Sequence, residues 1–344
     1  MTEAGSVMMA EINEIPRMLE EIVSSMGKSQ FAQKLLSENR FDSVIILARG
    51  TSDNAAHFLK YLLETELGLP VGLASPSAAT MYSPNFRYEC CLVIAISQSG
   101  KSLDLLTFAK AAKSGGGYLL SLTNDANSPL AELSDLHLPL MAGPEVAVPA
   151  TKSFVGQLML SYLLVTSWAG KSASTISVKK ATEEILRDES TYKDFAKQIE
   201  ITRPIYVLGR GFSYPNAREF ALKLQETCLT PVQGMSSSDF LHGPIASIKA
   251  DAQVIFMAPQ NLPVDSFGEA PEKVRAITGK VYWIGNPANV ESQDVVLRTP
   301  VSDTEVTACI SDAVVFQRVT HQIAISIGLN PDRPEGLSKV TITR

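Results

Sequence analysis

Cysteine is scarce in this sequence of 344 residues, and the four that occur are not spaced as metal ligands are. Cys90 and Cys91 are adjacent at the start of an apolar stretch, where cysteine usually acts as a small hydrophobic residue. Cys228 and Cys309 are isolated from them and from each other. This pattern predicts no metal site and is typical of a protein in a reducing compartment.

Long apolar runs and basic clusters are also missing. No apolar run approaches the roughly 20 residues that a membrane-spanning helix needs. The net charge of −6 and the lack of a Lys/Arg-dense stretch argue against nucleic acid as a partner. The first residues show no basic start followed by a hydrophobic block, so no signal peptide is predicted. We therefore expect a soluble, cytoplasmic protein.

Nucleotide-binding fingerprints are absent as well. No P-loop occurs, and the Gly209-Arg210-Gly211 turn lacks the third glycine and the later acidic residue of a dinucleotide site. These absences favour a small phosphorylated metabolite over a nucleotide as the ligand.

What the sequence does contain is an alternation of short apolar strand patterns and helical patterns, which predicts a parallel sheet covered on both faces. The alternation restarts halfway, so that residues 47–52 and 208–213 occupy corresponding places about 160 residues apart. The predicted fold class is therefore α/β, with two tandem doubly wound, flavodoxin-like parallel-sheet domains. The expected boundaries are residues 1–30 for an N-terminal helical segment, 31–190 and 191–330 for the two domains, and 331–344 for a tail.

The clearest local signal follows the strand pattern of residues 92–96. That pattern stops at Ser97-Gln98-Ser99-Gly100-Lys101-Ser102, and a helical pattern begins directly afterwards. Such a turn directs backbone N–H groups, a helix N-terminus and hydroxyl donors to one point, which suits a phosphate. The alternative is an ordinary strand-to-helix turn in which Ser102 only caps the helix.

Three further places could carry proton chemistry. Glu219, Lys223 and Glu226 fall on one face of a predicted helix, either as a solvated salt-bridge stripe or as a carboxylate base beside a cation. His242 precedes Gly-Pro in a predicted polar loop, and loops carry catalytic groups more often than core elements do. Lys339 lies in a Pro- and Gly-rich tail, a kind of segment that is usually frayed.

Six motifs in a fixed order carry a resemblance to a known family. They are Gly50-Thr51-Ser52, Ser97-Gln98-Ser99-Gly100, Gly143-Pro144-Glu145 with Thr151-Lys152, Leu222-Lys223-Leu224-Gln225-Glu226, His242-Gly243-Pro244 and Leu337-Ser338-Lys339. With these motifs the chain resembles the sugar-isomerase (SIS) family, and in particular the isomerase half of glutamine–fructose-6-phosphate aminotransferase. The likeness extends from about residue 30 to Lys339.

The resemblance implies a role for each motif. Glu226 is similar to the base that moves a proton between C1 and C2, with Lys223 beside it. His242 resembles the residue that opens the sugar ring, which reaches in from the partner subunit and so implies a homodimer, and Lys339 resembles the tail lysine that engages the open-chain carbonyl. The sugar phosphate would be bound by Gly50, Thr51, Ser52, Ser97, Gln98, Ser99, Ser102, Val148 and Ser338. The family uses no metal and no organic cofactor.

The implied activity is that of an aldose–ketose isomerase that also releases an amine. The chain begins at Met-Thr-Glu-Ala without a glutaminase domain, so we expect the deaminating direction, from glucosamine 6-phosphate and water to fructose 6-phosphate and ammonia. Lys101 stands where the aminotransferase has glutamate, and Ala150 replaces a serine, which leaves the sugar open. The alternatives are a galactosamine-6-phosphate-type deaminase, a fructosamine-phosphate deglycase, and a sugar-phosphate-sensing regulator.

Overall fold

The structure is a computed structural model that describes residues 3–27, 36, 41–263, 265–288 and 290–339. These residues contain two parallel five-stranded sheets with helices, which confirms the predicted α/β class. The chain divides into two compact units. The first-sheet unit comprises residues 17–145, 152–173 and 338–339, and the second-sheet unit comprises residues 3–16, 146–151 and 174–337. Within the described part of the chain, no helix is long and apolar enough to cross a membrane.

The first sheet has the strand order β2-β1-β3-β4-β5, and every neighbouring pair is parallel. The central strand β3 is buried along its whole length, as its unbroken apolar run predicts. The bounds of the first elements in chain order are α1 (Ser6–Asn13), α2 (Ile15–Gly27), β1 (Ser43–Leu47), α3 (Thr51–Leu67), β2 (Val71–Leu73), β3 (Cys91–Ser97), α4 (Leu103–Ser114), β4 (Tyr118–Thr123), α5 (Pro129–Leu133), β5 (Leu136–Pro139) and α6 (Lys152–Trp168).

The second sheet repeats this arrangement with the order β10-β9-β8-β6-β7, again parallel throughout. Its strand β7 is not among the predicted strands, and residues 237–241, expected as a loop, form a short helix. The bounds of its elements are α7 (Ile176–Arg187), α8 (Ser190–Ala196), β6 (Ile205–Gly209), α9 (Ser213–Cys228), β7 (Val232–Ser236), α10 (Ser237–Leu241), β8 (Gln253–Ala258), α11 (Ala270–Arg275), β9 (Val281–Gly285), β10 (Val295–Leu297) and α12 (Glu305–Ser326).

Helix α12 is the buried centre of the second-sheet unit, where it packs against α7, α8 and α9. It carries a buried acidic residue, Asp312. Burial raises the pKa of Asp312 to about 7, although a hydrogen bond with Thr299 acts in the opposite direction. One carboxyl oxygen of Asp312 has no hydrogen-bond partner within the described residues. Asp312 is therefore a group that resists ionisation in the folded protein.

Replacing Asp312 with asparagine should raise stability at alkaline pH. The pKa of the carboxyl is about 4 in the unfolded chain and about 7 in the folded chain, so folding becomes less favourable as pH rises between these values. At 1.36 kcal/mol per pKa unit, the carboxyl costs about 4 kcal/mol at pH 8, and asparagine removes that cost. Urea unfolding at pH 4.5 and pH 8 measures the difference.

The matched control is Asp194→Asn, because the Asp194 side chain is 71% exposed on α8. That variant should keep the pH dependence of the unmodified protein. If Asp312→Asn also keeps that dependence, then Asp312 does not resist ionisation and this account is wrong.

Candidate functional site

The phosphate-binding residues predicted in the loops after β1 and β3 lie at the carboxyl ends of the strands of the first sheet. Strands β1 and β3 are parallel neighbours, with Leu47 in register with Ala95. The loops that follow them therefore begin at the same end of the sheet. The loop after β1 leads into α3, and the loop after β3 leads into α4. In the strand order, β2 lies on one side of β1 and β3 on the other, so this is the point at which the chain reverses direction across the sheet. We call the residues gathered here the cradle; they are Gly50, Thr51, Ser52, Ser97, Gln98, Ser99 and Ser102.

Hydrogen bonds between side chains and backbone N–H groups stabilise the turn after β3. Ser97 Oγ accepts a hydrogen bond from Gly100 N at 3.1 Å, and Ser99 Oγ accepts one from Lys101 N at 3.3 Å. Gly100 has a φ of +62°, and a Cβ added there would lie 2.2 Å from Ser128 Oγ. Glycine is therefore required, for its conformation and for the close approach of the neighbouring chain.

The structure does not support the alternative in which Ser102 only caps α4. Ser102 is at the N-cap position with extended backbone angles, yet its side chain makes no capping hydrogen bond. Gly50 occupies the N-cap of α3 with φ 57° and ψ −131°, and glycine has no side chain with which to cap. Two helix N-termini without side-chain caps thus lie at the carboxyl ends of neighbouring strands, and each carries a partial positive charge.

Neighbouring elements hold the cradle in place. Gln157 Nε2, on α6, donates a hydrogen bond to Ser52 Oγ at 2.9 Å, and both side chains are buried. Arg49 Nε donates to the buried Asp104 carboxylate at 2.8 Å, which links the end of β1 to the first turn of α4. Lys101, the predicted departure from the aminotransferase pattern, is 58% exposed and pairs with Asp125 at 3.4 Å.

The tail lysine is anchored, contrary to the frayed alternative. Lys339 Nζ donates to Glu145 Oε2 at 2.8 Å, and the Glu145 side chain is fully buried. The same carboxylate accepts from Ser153 N at 3.0 Å and Ser153 Oγ at 2.7 Å, in the first turn of α6. Burial alone would raise the pKa of Glu145, but Lys339 and the Ser153 donors together hold it below its usual value. The folded protein therefore keeps Glu145 ionised and Lys339 beside it, while the preceding Ser338 is exposed.

In the second-sheet unit, the charged residues of α9 are not a solvated stripe. Lys223 and Glu219 are fully buried, and Glu226 keeps 24% of its side chain exposed. Lys223 Nζ lies 3.3 Å from Glu219 Oε1 and donates a hydrogen bond to Glu226. Burial would lower the pKa of Lys223, but the two carboxylates raise it above its usual value. The cluster thus holds a fixed ammonium between two carboxylates, and of the three groups only Glu226 reaches the surface.

His242 and Val148 also lie in the second-sheet unit, each on an irregular segment. His242 directly follows the short helix α10 as its C-cap, and at the other end of this helix Ser236 Oγ accepts a hydrogen bond from Ser238 N at 3.3 Å. The imidazole is exposed and makes no hydrogen bond with Lys223 or Glu226. Val148 is half-buried, and its N–H donates to Asp332 O at 2.9 Å.

Sequence comparison decides the family. The model of the SIS domain matches this chain twice, at residues 36–167 and 199–325, and each match contains one of the two sheets. The chain belongs to the SIS domain family. Its two tandem SIS domains confirm the family and the fold that the six motifs indicated.

Relatives of this SIS chain include amino-sugar enzymes. It is 31% identical to glutamine–fructose-6-phosphate aminotransferase [isomerizing] from Sulfolobus acidocaldarius over an alignment of 343 residues, and the alignment covers 98% of this chain and 56% of that protein. The chain spans a little over half the length of the curated relatives that it matches. Its homologues are thus the isomerase portion of the aminotransferase.

Two solved structures share the fold of this SIS chain. The C-terminal domain of glucosamine-fructose-6-phosphate aminotransferase from Francisella tularensis superposes with a TM-score of 0.83 at 24% identity, covering 97% of this chain and 100% of that one. Glucosamine-6-phosphate deaminase from Thermotoga maritima gives a TM-score of 0.76 at 23% identity, covering 98% and 100%.

The sequence predicts no role for Glu145, although the Gly143-Pro144-Glu145 motif carries part of the family resemblance. Its partner Lys339 lies 194 positions away, so no local pattern links them. The usable signal is an acidic residue shortly before a helix whose first turn contains no acidic residue, because such a helix start favours a carboxylate.

Proposed function

We propose that this SIS chain is an amino-sugar-phosphate deaminase that converts glucosamine 6-phosphate and water into fructose 6-phosphate and ammonia. The observation that carries the proposal is the Glu219–Lys223–Glu226 cluster, in which a partly exposed carboxylate is hydrogen-bonded to a buried ammonium. Such a carboxylate can accept a proton from one carbon and return it to the next. The deaminating direction consumes only water besides the sugar phosphate, so it requires no second substrate site.

The cradle is assigned to the phosphate. Its two uncapped helix N-termini and its hydroxyl donors suit a dianion, and its closed turn is preorganised before the ligand arrives. Relatives whose names refer to fructose 6-phosphate or glucosamine 6-phosphate support this assignment. Val148 and Ser338 are proposed to contact the sugar.

Glu226 is assigned to proton transfer. In open-chain glucosamine 6-phosphate, C1 is an aldehyde and C2 carries the amine. Removal of the C2 proton by Glu226, with uptake of a proton from solvent by the C1 oxygen, gives an enolamine. Return of the first proton from Glu226 to C1 then leaves a hydroxyl at C1 and an iminium at C2, and the proton taken from solvent is released again when water adds to the iminium. Water adds to the iminium and ammonia leaves, so that the ketone of fructose 6-phosphate remains.

Lys339 is assigned to the oxygen that gains negative charge during this transfer. Its Nζ donates a hydrogen bond to Glu145 Oε2 at 2.8 Å, and an ammonium in this position stabilises a developing oxyanion. The ion pair therefore argues for a cation or acid at this position rather than for a Schiff-base nucleophile.

His242 is assigned to ring opening, which needs a proton moved from the C1 hydroxyl to the ring oxygen. Its exposed imidazole is compatible with a role toward a second copy of the chain, and we propose a homodimer in which His242 serves the partner's site.

The test is ammonia release without glutamine from glucosamine 6-phosphate, galactosamine 6-phosphate and fructoselysine 6-phosphate. We expect turnover of glucosamine 6-phosphate, with fructose 6-phosphate formed in equal amount. Preference for the galactosamine compound would identify the galactosamine-type deaminase. Release of lysine from fructoselysine 6-phosphate would identify the deglycase instead. Tight binding of one compound without any reaction would overturn the enzyme proposal in favour of a sensor.

A further inference from the structure

The N-terminal helix α1 is capped by a residue from the other end of the chain. Its own N-cap residue, Gly5, has no side chain to offer. The Asp332 carboxylate takes this place, with Val7 N donating to Oδ2 at 3.2 Å and Met8 N donating to Oδ1 at 2.7 Å. Asn330 adds a further contact, since Gly5 N donates to its Oδ1 at 3.2 Å. Asp332 is buried, so these hydrogen bonds are protected from water.

One turn further along, α1 binds the loop that contains Val148. The buried carboxylate oxygen Oε1 of Glu11 accepts hydrogen bonds from the backbone of Val146 and, at 3.2 Å, from Ala147 N. The next N–H in the loop, that of Val148, donates to Asp332 O at 2.9 Å. Three consecutive backbone donors of the loop are thus held by Glu11 and Asp332, which are also joined to each other through α1.

These contacts restrain both segments that lead to the Lys339–Glu145 ion pair. Val146 directly follows Glu145 in the sequence, and Asp332 precedes Lys339 by seven residues. Fixing Val146 and Asp332 therefore limits where the chain can place the two charged partners. The two N–H groups that Glu11 accepts belong to the loop and not to α1, so these hydrogen bonds tie the loop to the helix.

We propose that Glu11 and Asp332 are positioning residues, which hold the Val146–Val148 loop and the tail so that Lys339 stays beside Glu145. The catalytic part of this inference rests on the proposed function, in which Lys339 stabilises charge on the substrate. The restraint of Lys339 itself can be tested without any substrate.

The experiment compares Asp332→Asn with the unmodified protein by two measurements. The first is the rate at which an amine-reactive acetylating reagent modifies Lys339, followed by mass spectrometry of its peptide. We expect a roughly fivefold faster modification, because the amide cannot accept both N–H groups of α1 and the tail loosens. The second is kinetics with glucosamine 6-phosphate, where we expect kcat to fall roughly tenfold and KM to change less than threefold, since misplacement affects the transition state most.

Two further variants separate positioning from simple loss of stability. Thr304→Ala removes the N-cap of α12 in the same unit, where Thr304 Oγ1 accepts from Thr307 N at 3.1 Å. It should lower the melting temperature without changing Lys339 modification or kcat below that temperature. Glu11→Gln weakens the hold on the loop while leaving the Asp332 cap intact, and it replaces Asp332→Asn if that variant does not fold.

The outcomes distinguish the two proposals. Faster Lys339 modification together with a lower kcat supports the positioning role. Faster modification in a protein that turns over none of the sugar phosphates supports the restraint and counts against the proposed function. An unchanged modification rate, or an unchanged kcat despite faster modification, overturns the positioning role.

Discussion

Glu226→Gln should abolish ammonia release while sugar-phosphate binding survives. Glutamine keeps the size of the side chain but cannot take a proton from C2, and removal of a general base typically costs about 10²–10⁴-fold in rate. Lys223 stays paired with the buried Glu219 at 3.3 Å, so the variant should remain folded. Ammonia release at saturating glucosamine 6-phosphate gives kcat, and calorimetric titration gives the affinity.

The matched control is Glu183→Gln on α7. Glu183 also pairs with a lysine of its own helix, Lys179 at 3.5 Å, but this pair is at the surface and has i,i+4 spacing, whereas Glu226 and Lys223 have i,i+3 spacing. Exposed pairs of this kind contribute little to stability, so this variant should behave like the unmodified protein. Full activity of Glu226→Gln would remove Glu226 from the mechanism, whereas loss of both binding and activity would indicate a structural role.

A comparison of the Lys179–Glu183 pair with the Glu219–Lys223 pair explains why the burial of Lys223 could not be predicted from the sequence. Lys179–Glu183 and Glu219–Lys223 both have helical spacing and opposite charges, so both permit a solvated pair. Only the packing of α9 against α12 and the second sheet buries Lys223 completely. That packing is a property of the whole unit, and no window of sequence around residue 223 contains it.

The cradle, by contrast, was predictable from local patterns. An unbroken apolar strand that stops at small polar residues fixes where β3 ends, and parallel topology then brings its loop beside that of β1. The predicted domain boundaries remain predictions, as do the roles of the individual site residues.

Strand β7 was missed because it lies at an edge of its sheet. It has one neighbour, β6, and only Val232 among its five residues is buried. Gly234 and Gln233 further weaken the apolar pattern on which strand prediction depends. The adjoining helix α10 is too short to show helical periodicity, although Phe240 within it is fully buried.

The second large effect is expected at the tail. Lys339→Met should lower kcat by roughly 10²–10³-fold, because the developing oxyanion loses its preorganised cation. It should also destabilise the protein at neutral pH by about 2 kcal/mol, since the buried Glu145 carboxylate then lacks its counter-ion. In the unmodified protein the pKa of Glu145 is lowered, so this stabilisation is present above the unfolded value near 4.3 and is lost as pH falls below it.

The loss of folding stability in the Lys339→Met variant should increase with pH. Without Lys339, the largest effect that lowers the pKa of Glu145 is gone, while burial, which raises the pKa, and the two hydrogen bonds from Ser153 remain. The loss of stability should therefore be larger at pH 8 than at pH 4, because near pH 4 much of the carboxyl is protonated and fewer molecules carry a buried carboxylate without its counter-ion. Urea unfolding of both proteins at these two pH values measures it.

Adding Glu145→Gln to Lys339→Met separates the two functions of the ion pair. The neutral amide no longer needs a counter-ion, so the double variant should recover most of the lost stability at pH 8. It should not recover kcat, because the cation is still missing. Recovery of activity along with stability would mean that Lys339 only neutralises Glu145, and catalysis by the tail lysine would then have to be abandoned.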